Sequence, residues 1–281
     1  DPSSYNGIQM TLAADVASFA RALTVHDITT AANETAVARA ETVSPSDFDR
    51  SMYLTIEDGG YPRQQPARTF AYRLDPTLES EDGQTLGYPF ISIVANRRVS
   101  AFTSFGDGHG VWESSGGATL PFHARNYQSV QQWLTPLRPA DLMSRIVMLE
   151  RDDFRTLPPG NGTTRTLSVT PDSVQSYGMD LSSVLTNGRG LVWAGLRPGT
   201  FIPNSAHRTP LTRADKSTIV QVTNLGITVK DSPQSTLVFV TRLDNGAPVA
   251  DAAVTLINTD NQQLWRGTTD GQGIAVAPAL P

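Results

Sequence analysis

The chain has 281 residues, room for two or three ordinary domains, with 39% hydrophobic and 17% charged side chains and a formal net charge of −5. It contains no cysteine, which removes disulfides, thiolate nucleophiles and cysteine-based zinc sites together. The net charge is −7 over 1–117, +3 over 118–215 and −1 over 216–281, too little basic character anywhere for a nucleic-acid footprint, and no stretch reaches the ~20 apolar residues of a membrane helix.

Nineteen Pro and 22 Gly punctuate the chain throughout, so the segments between turn signals are short and read as strands. No positively charged start with an apolar core is present, so any signal peptide is already removed, and both ends read as internal to something longer. Residues 8–23 carry Leu12, Val16, Phe19, Ala20 and Leu23 at the spacing of one helical face. An irregular strand is the alternative there, because Val25, Ile28 and several Thr follow at once. Beyond Ala36 the pattern is β: Val37–Val43, Met52–Ile56, Arg68–Leu74, Pro89–Ala95, Val99–Phe105 and Gly110–Glu113 are short runs separated by turn residues. Ser114-Ser115-Gly116-Gly117 has the composition of a boundary.

A second unit is expected from residue 118. It holds an extended segment over Leu120–Leu134, a short helix over Ala140–Glu150 after Pro139, and strands at Thr166–Thr170, Ser182–Leu185, Gly190–Leu196 and Gly199–Pro203. Asn187-Gly188 just ahead of Leu191-Val192-Trp193 is a hairpin signal. In the third unit, Ile219, Val220, Val222, Leu225, Ile227 and Val229 read as one long strand whose alternation slips by one near Asn224-Leu225. A slip in a period of two implies a bulge or bend. Strands at Leu237–Leu243, Val249–Ile257, Gln263–Thr268 and Ile274–Ala277 follow. The expected organisation is therefore mainly β, tandem immunoglobulin-like sandwiches over 1–117, 118–215 and 216–281, with one or two short helices and the third sandwich short of strands.

The run Ser217-Thr-Ile-Val-Gln-Val-Thr-Asn-Leu-Gly-Ile-Thr-Val-Lys230 resembles the opening strand of a macroglobulin domain in bacterial α2-macroglobulin-like proteins. Leu237-Val-Phe-Val-Thr-Arg-Leu-Asp-Asn-Gly-Ala-Pro-Val-Ala250, Val254-Thr-Leu256 and Gly267-Thr-Thr-Asp-Gly-Gln-Gly273 continue the resemblance, and Thr119-Leu-Pro-Phe-His-Ala-Arg-Asn-Tyr-Gln-Ser-Val130 echoes it more faintly. The resemblance implies a periplasmic or cell-envelope protein, with a lipid anchor upstream as one mode of attachment. It implies a broad-range protease inhibitor that cages endopeptidases after they cleave a bait segment. Many such proteins carry a thioester built from Cys-x-Glu-Gln. This chain has no cysteine and cannot hold it, so it would be scaffold, with the other domains of its parent chain and the trapped proteases as partners.

Residues that could carry chemistry form no motif. His26, His109, His123 and His207 show no helical zinc spacing. Gly106-Asp-Gly-His-Gly110, with Asp107, His109 and Glu113, is the most suggestive metal cluster, and a solvated turn is its plainer reading. Ser114-Ser115 lacks the upstream glycine of a nucleophile elbow, and a site of Ser205, His207 and Asp215 would need distant residues to converge. Glu57-Asp58 and Glu81-Asp82 precede glycines and read as turns, not as a glycosidase pair. Asn33 and Asn161 open glycosylation sequons, accidental in a bacterial chain. Trp112, Trp133, Trp193 and Trp265 read as core residues; the alternative, an exposed aromatic platform, would make the chain a carbohydrate-binding or adhesin-type array at the cell surface. No catalytic, cofactor-binding or metal residue is expected, no cofactor, and no enzymatic activity.

Overall fold

The computed structural model describes residues 7–30, 32–41, 49–106, 110–203 and 215–280. Among these, the residues up to 100 form one compact unit, and residues 101–202 with 215–280 form another.

The first unit opens with β1 (Gly7–Asp15), passes through α1 (Val16–Ala22) into β2 (Leu23–Asp27), and adds β3 (Thr35–Ala36), β4 (Arg50–Thr55), β5 (Thr69–Leu74) and β6 (Phe90–Ala95). β1 pairs antiparallel with β4, and a second antiparallel sheet has the order β3-β2-β5-β6. Phe19, Leu23, Val25, Leu54, Phe70, Tyr72 and Leu74 share the core. The helix expected over 8–23 forms only in its second half. Asp15, in extended conformation, caps α1 by accepting from the Ser18 amide at 2.8 Å, so the helix starts there. Ahead of that cap Ile8 and Gln9 are in register with Leu54 and Tyr53. The helical spacing of Leu12 with Phe19 and Leu23 spans a strand–helix junction.

The second unit contains two sandwiches in sequence. The first comprises β7 (Phe102–Ser104), β8 (Gly110–Glu113), β9 (Thr119–Arg125), β10 (Ser129–Leu137), α2 (Leu142–Arg151), β11 (Thr163–Thr166), β12 (Gln175–Asp180), β13 (Gly190–Pro198) and β14 (Lys216–Thr223). A five-stranded sheet, β11-β10-β13-β14-β8, packs one face on the three-stranded sheet β12-β9-β7. Phe122, Val130, Met179, Leu181, Val192, Leu196, Val220 and Val222 fill the space between. The other face is covered by α2, where Leu149 meets Trp193 and Ile219. β14 is therefore buried on both sides, which is why its apolar residues do not alternate.

β7 and β8 fall in the span read from sequence as the first unit, yet they hydrogen-bond to β9 and β14 of this sandwich. The β8–β14 pairing is parallel, which no local sequence pattern encodes. The strand expected at 182–185 is a short 3-10 turn, and the strand lies earlier, at β12. Its sequence Gln-Ser-Tyr-Gly-Met-Asp has no β-branched residue to announce it. Asn187 and Gly188 do form the expected tight turn: their φ angles are 50° and 70°, and Thr186 and Arg189 exchange backbone hydrogen bonds at 3.0 Å.

The last sandwich holds β15 (Leu225–Asp231), β16 (Ser235–Arg242), β17 (Ala253–Ile257), β18 (Gln263–Thr268) and β19 (Ile274–Pro278). One sheet runs β15-β16-β19 and the other is the β17-β18 hairpin, with Val238, Val240, Val254 and Ala275 between them. The long strand expected over 219–229 is two strands in different sheets, β14 and β15. The slip in alternation marks a passage from one sandwich to the next.

Candidate functional site

The passage between the two sandwiches is held by a connected polar group. A single residue, Asn224, separates β14 from β15, and its side chain is buried. Its amide nitrogen donates to Asp244 Oδ2 at 3.2 Å, its amide oxygen accepts from the Asp244 backbone N–H at 3.3 Å, and its carbonyl accepts from the Leu243 amide at 2.9 Å. Arg242 holds both carboxylate oxygens of Asp244, at 3.0 and 2.5 Å. The Arg242 hydrogen bonds come first in holding the Asp244 carboxyl below its ordinary pKa, with the Asn224 amide adding to them. Thr223 Oγ1 accepts from the Leu225 amide at 3.1 Å. The turn after β16 thus grips the joint from one side. Further along, Asn261 in the β17–β18 turn donates to the Ala140 carbonyl ahead of α2 at 2.8 Å. Two attachments, at separate places, oppose rotation about the joint far better than one.

Chemically this group holds position. It has an ionised carboxylate, an amide and a guanidinium, each already paired, and no nucleophile or base aimed at open space. The sequence carries both halves of it: the slip at Asn224, and Asp244-Asn245-Gly246, turn residues that follow the strand expected over Leu237–Leu243. It did not join them, because nothing in a linear pattern says that a turn twenty residues on will close over the slip.

The other candidates serve locally. Asp107, His109, Ser205 and His207 lie outside the described residues. Glu113 accepts from Ser115, and Ser114–Gly116 form a 3-10 turn. Asp215 takes a two-pronged hydrogen bond from Arg197, bracing β13 on β14. Asp58 accepts from both the amide and the hydroxyl of Thr55 at 2.7 Å. Asp82 accepts from Ser80 and Gln84, which lowers its pKa, Ser80 contributing most; both pairs read as turns are turns. His26 Nδ1 lies against Glu34, which also takes Arg73, and His123 sits in β9 opposite Ser176 and Ser104. Among the described residues no three His, Asp or Glu side chains converge as a metal cage. Trp133 and Trp193 are buried, the first donating to the Gly160 carbonyl at 3.0 Å and the second to Ser217 Oγ at 2.5 Å. Trp112 and Trp265 pack against the two cores. No aromatic platform forms from the four, and the glycan-binding alternative is not favoured.

The second unit is built of two β-sandwiches in sequence. Residues 222–280 match the family described as bacterial alpha-2-macroglobulin MG3 domain. No curated protein sequence matches the chain. Its fold is similar to native α2-macroglobulin from Escherichia coli spanning domains MG0-NIE-MG1, at TM-score 0.55 and 16% identity, covering 93% of this chain and 80% of that one. It is also similar to Salmonella α2-macroglobulin reacted with methylamine, at TM-score 0.55 and 18% identity, over 92% of this chain and 15% of that one. The complete E. coli chain seen by electron microscopy aligns over 93% of this chain and 16% of its own length, at TM-score 0.50 and 17% identity. The family match thus covers the last sandwich, the fold of the chain is similar to that of bacterial α2-macroglobulins, and the chain spans about a sixth of the two longer chains it matches. The family description numbers the C-terminal domain MG3 while the E. coli structure of similar extent ends at a domain numbered MG1; the sandwich is what they share.

Proposed function

We propose that this chain is scaffold from a bacterial α2-macroglobulin-like protease trap in the periplasm or cell envelope, and that it performs no turnover. Its sandwiches set the spacing and orientation of neighbouring domains of the parent chain, and target endopeptidases are partners of that parent. The observation that carries this reading is the MG3 match over 222–280, which coincides with the last sandwich and includes the joint at Asn224. A trap that closes by moving domains needs pieces that move as bodies, and the two-point attachment at Asn224 and Asn261 makes one such piece.

The test uses the full-length parent protein incubated with an endopeptidase such as trypsin or elastase. Cleavage of a large protein substrate is expected to fall while hydrolysis of a small peptide amide continues, since a caged protease still admits small substrates. Undiminished cleavage of the large substrate would reject the reading. Cell fractionation checks the location: the parent is expected with the periplasmic or envelope fraction.

A further inference from the structure

A cavity of about 200 Å³ opens on the first unit where β1 leaves its partner strand. Gln9 pairs with Tyr53 and Ala14 with Ser51, so the residues from Met10 to Ala13 stand against Met52 alone on β4. A bulge of this width turns the strand out of its ladder and re-aims its side chains. The opposite wall is a hairpin over 78–86. Its Ser80 amide donates to the Gln84 carbonyl and its Leu86 amide to the Leu78 carbonyl, both at 2.8 Å, while the Glu81 amide ties it to the Ala13 carbonyl at 2.8 Å. Both walls are therefore fixed by backbone bonds. Ala14 and Leu78, 1% and 5% exposed, form the floor and belong to the core beneath. Met10, Leu12 and Leu86 make the sides apolar. Glu79 is exposed at the rim. It also borders a second cavity with Arg21 and Arg73, but Arg73 is taken by Glu34, and among the described residues neither arginine is ion-paired with Glu79.

We infer that this cavity seats a basic side chain, lysine or arginine, presented by an extended segment of a partner protein. An alkyl stem ending in a cation matches each level of the cavity. Its methylenes lie against the aliphatic sides, and its head stays in water beside the Glu79 carboxylate. Glu79 is the one ionic residue of the lining, so an anion finds no partner there. The surroundings carry the same sign: Glu81 and Asp82 follow Glu79 in the hairpin, and residues 1–100 hold 13 acidic against 8 basic side chains. A basic segment is drawn to such a face. A peptide suits the site better than a free amine because of the bulge. Met10 to Ala13 have no partners of their own on β4, which leaves a stretch of extended main chain beside the cavity for another to lie along. The inference rests on the cavity and its charge, and holds whether or not the parent captures proteases.

The test titrates end-blocked peptides into the 281-residue chain at low salt and follows its backbone amides by NMR. The probes are Ala-Ala-Lys-Ala-Ala, the same peptide with norleucine for lysine, which keeps the stem and loses the charge, and the same peptide with glutamate. The lysine peptide is expected to shift the amides of 10–14 and 78–86 to saturation. Norleucine is expected to bind more weakly by on the order of 3-fold, as for an exposed ion pair, and glutamate to give no saturation. In E79Q the lysine and norleucine peptides are expected to bind alike. In T11W, where an indole at the exposed rim fills the mouth, neither is expected to bind, while unchanged amide shifts in the rest of the first unit report that the variant is folded. The n-butylammonium ion is a lysine side chain without its peptide, and it is expected to bind more weakly than the lysine peptide. Shifts that are absent or do not saturate, a lysine preference that survives in E79Q, or a titration unmoved by T11W overturns the inference. So does n-butylammonium binding as tightly as the peptide, which would make this a site for free amines.

Discussion

Gly273 has φ +74°, and a Cβ there would come within 2.6 Å of the Val240 carbonyl oxygen. Its own carbonyl accepts from the Val240 amide at 2.9 Å, so the backbone cannot move away without losing the closure of the last sandwich. Two residues earlier Gly271 has open space around its missing Cβ and no left-handed φ. G273A is therefore expected to destabilise the second unit by about 1–3 kcal/mol and G271A by less than about 0.5 kcal/mol, as read by urea denaturation; equal effects would contradict the assignment. Both glycines stand out in Asp270-Gly-Gln-Gly273, but only the structure says which one the turn needs. At the joint, Asp244 has its folded pKa below its unfolded value. Its contribution is then complete above the ordinary carboxylate range and is lost as the pH falls through the lowered folded value. The melting temperature of D244N is expected below that of the unsubstituted chain at pH 7, with the gap narrowing at acid pH. A gap that widens on acidification would show that the carboxylate does not carry the interaction.

At the scale of elements, strands bounded by turn residues and read by composition are those the structure keeps: 69–74, 90–95, 110–113, 190–198 and 263–268. The first two are rich in apolar and β-branched residues and run into Asp75-Pro76 and Asn96, so local propensity and tertiary role agree. Elements whose role is set from outside were harder to read. α1 depends on a single capping carboxylate, and β12 contributes chiefly Met179 to the core. The joint at Asn224 appeared as a lapse in periodicity, because β14 is buried on both faces while Leu225, Ile227 and Val229 of β15 keep a period of two in the next sheet. The short helix expected after Pro139 is α2, whose attachment is concentrated in Leu149, fully buried against Trp193 and Ile219. L149A is expected to cost about 2–5 kcal/mol, accompanied by faster amide exchange over 142–151. Unchanged exchange in that helix would mean that Arg145, stacked 4.4 Å over Trp193, suffices to hold it.

For the whole molecule, the question is which stretches can stand by themselves. A boundary at the Ser-Ser-Gly-Gly run would be natural from composition, but Ser114–Gly116 lie between β8 and β9, two strands of one sandwich. Starting a chain at residue 118 removes β7, whose Phe102–Ser104 pair with 123–125, and β8, which pairs with 220–223. It leaves a flank of β9 and one of β14 without their partners. Partly buried Phe105 and Trp112, which pack against the core of that sandwich, go as well. Starting at 101 keeps all of these. A chain of residues 101–281 is therefore expected to unfold in one cooperative transition with the Trp fluorescence and chain dimensions of a packed protein. A chain of residues 118–281 is expected to be several kcal/mol less stable, since losing two buried aromatic side chains alone costs on the order of 3–5 kcal/mol each at full burial and somewhat less here, and to aggregate through its open strand flanks. Matched stability of the two chains in urea would mean that β7 and β8 are dispensable appendages and that the sandwich begins at β9.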